Sequence, residues 1–147
     1  MLIESRDSGD RVVRQLVREL RAELAGADGF GGPLAPDAAE FMLGLIDGKP
    51  VACGALRQLA VGIGEIGCVY VRPAWRGQGL SRLILAALEE RAVELGCQLL
   101  RLETVSDRGW AVRLYEGAGF HSVRGPAEDV QDPRRAHYEK SLLPALA

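Results

Sequence analysis

Arg76-Gly77-Gln78-Gly79-Leu80-Ser81 places an arginine and two glycines directly ahead of a helical pattern, a combination of residue types that suits an anion. Val69, Tyr70 and Val71 precede it as an apolar run. Pro73 ends that run, because it can neither donate to a sheet ladder nor continue the strand. Gly77 and Gly79 allow unusual dihedrals and close backbone approach. Beyond them Leu80, Leu83, Ile84, Ala87, Leu88, Ala92 and Leu95 recur at helical spacing, while Arg82, Glu89, Glu90 and Glu94 point elsewhere. The turn therefore opens a helix, whose unpaired N–H groups and dipole form a site for a phosphate.

Two phosphate-binding patterns are discounted on residues. A P-loop needs Lys and then Ser or Thr after its glycine, and Gly79 is followed by Leu80 and Ser81. A dinucleotide fingerprint needs a third glycine where Arg82 stands, and the arginine would crowd the strand–helix contact.

What remains, Arg76-x-x-Gly79-x-Ser81, resembles the pyrophosphate-binding motif of the GNAT superfamily of acyl-CoA-dependent N-acyltransferases: Arg or Gln, two residues, Gly, one residue, then Gly or Ala. Ser81 departs from the last position, but it is small and its hydroxyl can donate to a phosphate oxygen. Downstream, Ala111-x-x-Leu114-Tyr115-x-x-x-Gly119-Phe120 resembles the second signature of the same superfamily. The order of elements also agrees over nearly the whole chain.

The resemblance implies acetyl-CoA as cosubstrate, with its pyrophosphate on Arg76, Gly77, Gln78, Gly79, Leu80 and Ser81. Its pantetheine arm would pair with the strand amides around Val69, Tyr70 and Val71. One N–H near Val69 or Tyr70 would polarise the thioester oxygen. Tyr115 would give a proton to the departing thiolate; a phenol near ~10 and a thiol near ~8.5 are close in acidity. Glu65, in an otherwise apolar strand just before the turn, matches the glutamate that serves as base in histone-acetylating members. A solvent-facing residue or an ion pair with an arginine is the other reading of Glu65, and Glu103 or water alone are the alternative bases. Many relatives carry Asn where Arg108 stands; an arginine there pairs with phosphate instead. Trp75 and Trp110 are expected near the cofactor or at its rim.

The acceptor implied is a primary amine of a small molecule, attacked directly in a ternary complex. A protein or peptide amino group is the enzymatic alternative, and an acyl-CoA-binding module without catalysis is the alternative from another class. A homodimer is expected by analogy alone.

Composition bounds these readings. The chain has 147 residues, enough for one domain with a real core, and 1–147 is read as a single domain. Hydrophobic residues make up 48% and charged residues 26%, and the 18 Lys plus Arg against 20 Asp plus Glu leave a net charge of -2, a poor basis for binding nucleic acid. No apolar run approaches the ~20 residues of a membrane span. Neither does Glu4, Asp7 and Asp10 near the start suit a signal peptide. Cys53, Cys68 and Cys97 are scattered in apolar segments and read as buried thiols of a reducing, cytoplasmic compartment; they and His121 and His137 suggest no metal site.

The elements that must position these residues follow in order. Leu2–Ser5 reads as a first strand, and Asp7–Asp10 as a turn and cap. Val13, Leu16, Val17, Leu20 and Leu24 line a helix, and Gly26–Pro36 reads as a connection or an acceptor-site lid. Phe41–Ile46 and Pro50–Leu56 flank Asp47-Gly48 as a hairpin. Leu59–Gly64 turns into a strand at Glu65–Val71, and Leu99–Thr104 forms the next. A helix capped by Ser106 or Asp107 runs to about Gly117, Gly119 ends it, and Phe120 opens another strand. Gly125–Pro133 reads as a loop and Ala136–Leu143 as the last strand. The fold expected is α/β in a mixed form: a twisted sheet of six to seven strands flanked by helices, its two central parallel strands splayed around the pantetheine arm.

Overall fold

The computed structural model describes residues 1–25, 39–105, 109–123 and 135–142. Asp47 and Gly48, with φ of 51° and 75°, make the tight turn that joins β2 (Glu40–Ile46) to β3 (Lys49–Ala60). β1 (Leu2–Asp7) pairs with β2, and β4 (Ile63–Val71) with β3, all antiparallel. β4 then crosses over through α2 (Leu80–Glu94) to β5 (Leu99–Val105), which lies parallel to it. After α3 (Gly109–Gly117), β6 (His121–Val123) and β7 (Arg135–Ser141) complete a seven-stranded sheet in the order β1-β2-β3-β4-β5-β7-β6. The mixed sheet is the one expected, with seven strands.

Alternation along the strands gives the sheet two cores. Ile66, Val69, Leu100, Leu102 and Tyr138 face α2 and α3; Phe41, Leu43, Cys53, Cys68 and Tyr70 face α1 (Arg11–Ala25), which buries Val13, Leu16, Val17 and Leu20. Asp10 starts α1 by accepting the N–H groups of Val12 and Val13 at 2.9 and 3.0 Å. Those bonds, Val13's first and then Arg6's guanidinium, hold its carboxyl below the ordinary range.

Several details differ from the sequence reading, including β1, which runs on to Asp7, and β7, which ends at Ser141 rather than Leu143. The Leu59–Gly64 turn is shorter than expected, because the β3–β4 ladder continues through Gln58–Gly64 to Ala60–Ile63, leaving only Val61 and Gly62 at the tip. Leu83 is half exposed, and Leu85 takes its place in the buried stripe with Leu80, Ile84, Leu88 and Ala92. β6 opens at His121 rather than Phe120, since the Phe120 N–H is used to close α3. The expected lid at Gly26–Pro36, the caps at Ser106 and Asp107 and the loop at Gly125–Pro133 lie outside the described residues. No helix among the described residues is long and apolar enough to cross a membrane.

Candidate active site

β4 and β5 pair only from Ile63–Leu99 to Ile66–Leu102. Beyond that point they have no register with each other, so Gly67–Val71 and Glu103–Val105 border an opening in the middle of the sheet. A bulge in β4 adjoins it. Between the pairs Cys53–Tyr70 and Ala55–Gly67, Cys68 and Val69 face the single residue Gly54, and Cys68 takes a φ of 52°. Past the bulge the Arg72 N–H donates to Val51 O at 2.9 Å, toward β3. By strand alternation the polar groups of Val71 then point the other way, toward the opening.

The 3-10 turn Pro73–Trp75 carries the chain from β4 to Gly77 and Gly79, which have φ of 81° and 75°. Gly79 is the N-cap of α2, and no side chain caps the helix there. A Cβ at Gly77 or Gly79 would meet no atom within 4 Å, so the space before the helix start is open. A cleft of about 540 Å³ leads from this turn along β4 and is lined by Val69, Tyr70, Val71, Arg76, Gly77, Gly79, Leu80 and Ser81. Eight of the expected cofactor-binding residues thus share one cavity. Gln78 does not line it, and Arg108 lies outside the described residues.

The sequence reading missed part of this wall. Leu20 and Glu23 of α1 and Arg82, Arg113 and Leu114 also line the cleft; Trp75 and Trp110, which the sequence singles out, line it too. Arg76 is turned away from the direction expected of it. Its Nε donates to Val71 O at 2.9 Å and its Nη2 to Glu23 Oε1 at 2.7 Å, with the guanidinium carbon 5.7 Å from the centre of the Tyr70 ring. One helical turn earlier on α1, Glu19 receives Arg72 through two bonds at 3.0 and 2.7 Å, and its carboxyl is held below the ordinary range chiefly by that arginine. A matched spacing was the available signal: Glu19 and Glu23 are four apart on α1, as are Arg72 and Arg76 after β4. The two pairs clamp α1 against the turn. In this conformation the Arg76 guanidinium is held by Val71 O and Glu23.

Tyr115 is fixed by the way α3 ends. The Phe120 N–H donates to Tyr115 O at 3.0 Å and the Gly119 N–H to Glu116 O at 3.1 Å, while Gly119 has a φ of 92°. This pair of bonds around a left-handed glycine brings the residue after the glycine onto the one five places before it. The Phe120 and Tyr115 rings accordingly meet edge to face at 5.9 Å, and Tyr138 of β7 covers Tyr115 from 6.2 Å. Tyr115 is 7% exposed and sits behind Leu114 rather than in the cleft wall. Burial pushes its phenol well above the ordinary value, and the nearby Cys68 acts in the same direction. The phenol and a thiol are thus further apart in acidity than their free values suggest.

The candidate bases are placed differently. Glu65 lies in the paired part of β4, opposite Arg57 and Arg101 in register, and accepts a bond from Arg57 Nη2 at 2.8 Å. It does not line the cleft, and the ion pair named above as its other reading is what the structure contains. Glu103 is the first residue of β5 past the last β4 pair. Because Leu102 faces α2 and α3, Glu103 faces the α1 side, and its Oε1 is shielded from solvent. Like Glu65, neither Glu103 nor Tyr115 lines the cleft: Glu103 lies at the β5 edge of the opening on the α1 side, and Tyr115 lies in the core toward α2 and α3.

A chain with this sheet and this turn falls in the class of acyl-CoA-dependent acyltransferases, and comparison with known proteins agrees. The profile of the Acetyltransferase (GNAT) family matches residues 10–120. An IAA acetyltransferase of Azospirillum brasilense is 32% identical over 111 residues, 74% of this chain and 72% of that protein. An aminoalkylphosphonate N-acetyltransferase of Salmonella typhimurium is 31% identical over 122 residues, 80% of this chain and 79% of that protein. Among solved structures, a protein of Klebsiella pneumoniae described as an acyl-CoA N-acyltransferase superposes with a TM-score of 0.83 at 31% identity, covering 97% of each chain. The chain belongs to the GNAT family of acetyltransferases.

Proposed function

We propose that this protein moves an acetyl group from acetyl-CoA to the primary amine of a small molecule, by direct attack within the opening between β4 and β5. The observation that carries the reading is the opening itself. It lies where β4 and β5 part after Ile66–Leu102, with Glu103 the next residue of β5, and a glycine turn with an uncapped helix start closes the end of the adjoining cleft.

The open space before Gly77 and Gly79 fits a pyrophosphate, and the α2 N–H groups supply donors where a side-chain cap would otherwise compete. Ser81 and Arg82 add a hydroxyl and a cation to that end of the cleft, and Arg113 lines its α3 side. Acetyl-CoA supplies the activated thioester. Amides of β4 around Val69 and Val71 then hold an extended arm as a neighbouring strand would, and an N–H beside the bulge polarises the carbonyl. An alkyl ammonium near pKa ~10 must first lose its proton, and Glu103 accepts it directly or through water. As the carbon–nitrogen bond forms and the carbon–sulfur bond breaks, the Tyr115 hydroxyl gives the leaving sulfur a hydrogen bond and its proton, and the proton shed by the acylated nitrogen passes through water to restore the phenol. Glu65, tied to Arg57, shapes the sheet face instead. The three cysteines are free and buried, in keeping with a reducing cytoplasm as the site of the reaction.

Small acceptors are favoured over protein ones by the relatives at about 31–32% identity, whose names specify IAA and aminoalkylphosphonates. The test is thiol release from acetyl-CoA across a panel of lysine, glutamate, aminomethylphosphonate, spermidine and an alanine-terminated peptide. We expect one of the small amines to turn over fastest. With that amine, Glu103→Gln lowers kcat by about 10-fold or more, whereas Glu65→Gln stays within about 2-fold. Fastest turnover on the peptide would make this a protein acetyltransferase. Acetyl-CoA binding with no thiol release on any amine would make it a binding module.

A further inference from the structure

Glu103 stands directly opposite His137 in the antiparallel β5–β7 ladder, so the two side chains leave the sheet on the same face. That face is the α1 side, because the neighbours of His137 along β7 alternate with it and Tyr138 is buried beside Tyr115 in the other core. Directly opposed residues in such a ladder have Cβ atoms roughly 5 Å apart, within reach of a carboxylate and an imidazole. Glu103 Oε1 and His137 Nε2 are both shielded from solvent, and a polar interaction out of water is stronger and more directional than one in it. On the same face Arg57 holds Glu65 at 2.8 Å and Arg101 holds Glu139 at 3.1 Å, the latter pair one rung below. In register, His137 is the residue of β7 that faces Glu103 at the edge of the opening.

We propose that His137 is a positioning residue for Glu103: its imidazole N–H, directly or through one water, holds the carboxylate in the rotamer that meets the incoming amine. This rests on the reading of Glu103 as the proton acceptor. A base reached through a long side chain, on a strand paired along one edge only, loses most of its effect if it samples several rotamers, since proton transfer needs hydrogen-bond distance. A cross-strand donor removes that freedom without touching substrate.

The experiment measures kcat and the acetyl-CoA Kd for His137→Ala, His137→Gln, Glu103→Gln and the double variant Glu103→Gln/His137→Ala, with the fastest amine of the panel above. We expect His137→Ala to lower kcat by about 10-fold at unchanged Kd, and His137→Gln, which keeps an N–H donor, to recover to within about 3-fold of wild type. Because His137 acts through Glu103, the double variant should be no slower than Glu103→Gln alone. A normal rate for His137→Ala beside a slow Glu103→Gln overturns the proposal and leaves the base in place. Losses that multiply in the double variant overturn it as well, by showing a separate structural effect. A normal rate for Glu103→Gln overturns the base reading, and the role of His137 falls with it.

Discussion

Gly79→Asp should abolish measurable acetyl-CoA binding while leaving the protein folded. Gly79 has a φ of 75°, a conformation in which aspartate is among the better tolerated side-chain-bearing residues, and a Cβ there meets no atom within 4 Å. Aspartate is also a favoured N-cap, so its carboxylate would fold onto the α2 N–H groups that are now uncapped. The substitution fills the donors and adds a negative charge at the place proposed for the pyrophosphate. Two unit charges 4 Å apart repel by about 4 kcal/mol at an effective dielectric constant near 20, close to three orders of magnitude in affinity. Even with solvent screening at this open site, a Kd raised by about 100-fold or more is expected from calorimetric titration. Thermal unfolding run beside it should show a cooperative transition with a midpoint lowered by no more than a few degrees, the cost of a side chain at positive φ. A variant that binds acetyl-CoA as the wild type does would remove the pyrophosphate from this turn.

Tyr115→Phe should lower kcat by about 10-fold or more and leave the acetyl-CoA Kd nearly unchanged. The phenyl ring keeps the edge-to-face contact with Phe120 and the cover of Tyr138, so only the hydroxyl is lost. The pH dependence follows from the direction of the shift. Burial raises the phenol above its ordinary value near 10, so it carries its proton through the neutral and mildly alkaline range. The wild-type profile should accordingly show no descending limb from Tyr115 below pH ~10. Full transfer to a free thiolate near ~8.5 is uphill by at least ~2 kcal/mol, which makes the hydroxyl a hydrogen-bond donor that completes the transfer only as the sulfur departs. Unchanged turnover in the variant would remove Tyr115 from the reaction.

The parts of this architecture set by neighbours in sequence could be read from it. Asp47-Gly48 dictates a hairpin because both residues accept positive φ, and the glycine turn follows from Pro73, Gly77 and Gly79. The spacing from Tyr115 to Gly119-Phe120 has a mechanical reason: a left-handed glycine at that distance folds the Phe120 N–H and ring back onto Tyr115. What could not be read depends on register between distant strands. The bulge at Cys68 carries no glycine to announce it, since the positive φ falls on a cysteine. Glu65 meets Arg57, and Glu103 stands opposite His137, only because of how β3, β4, β5 and β7 align. Likewise the direction of Arg76 is decided by Glu23, 53 residues away on α1. The position of Glu65 near the motif suggested a base, and what its register adds is an ion pair with Arg57 at 2.8 Å.

The most direct test of acetyl transfer in the opening is mass spectrometry of a single turnover, with enzyme in excess over acetyl-CoA and the fastest amine of the panel added either at the start or after a delay. Direct attack predicts no acetylated protein during the delay and acetylated amine as soon as the amine is present. Acetyl on the protein before the amine arrives, on a cysteine or any other side chain, would contradict it.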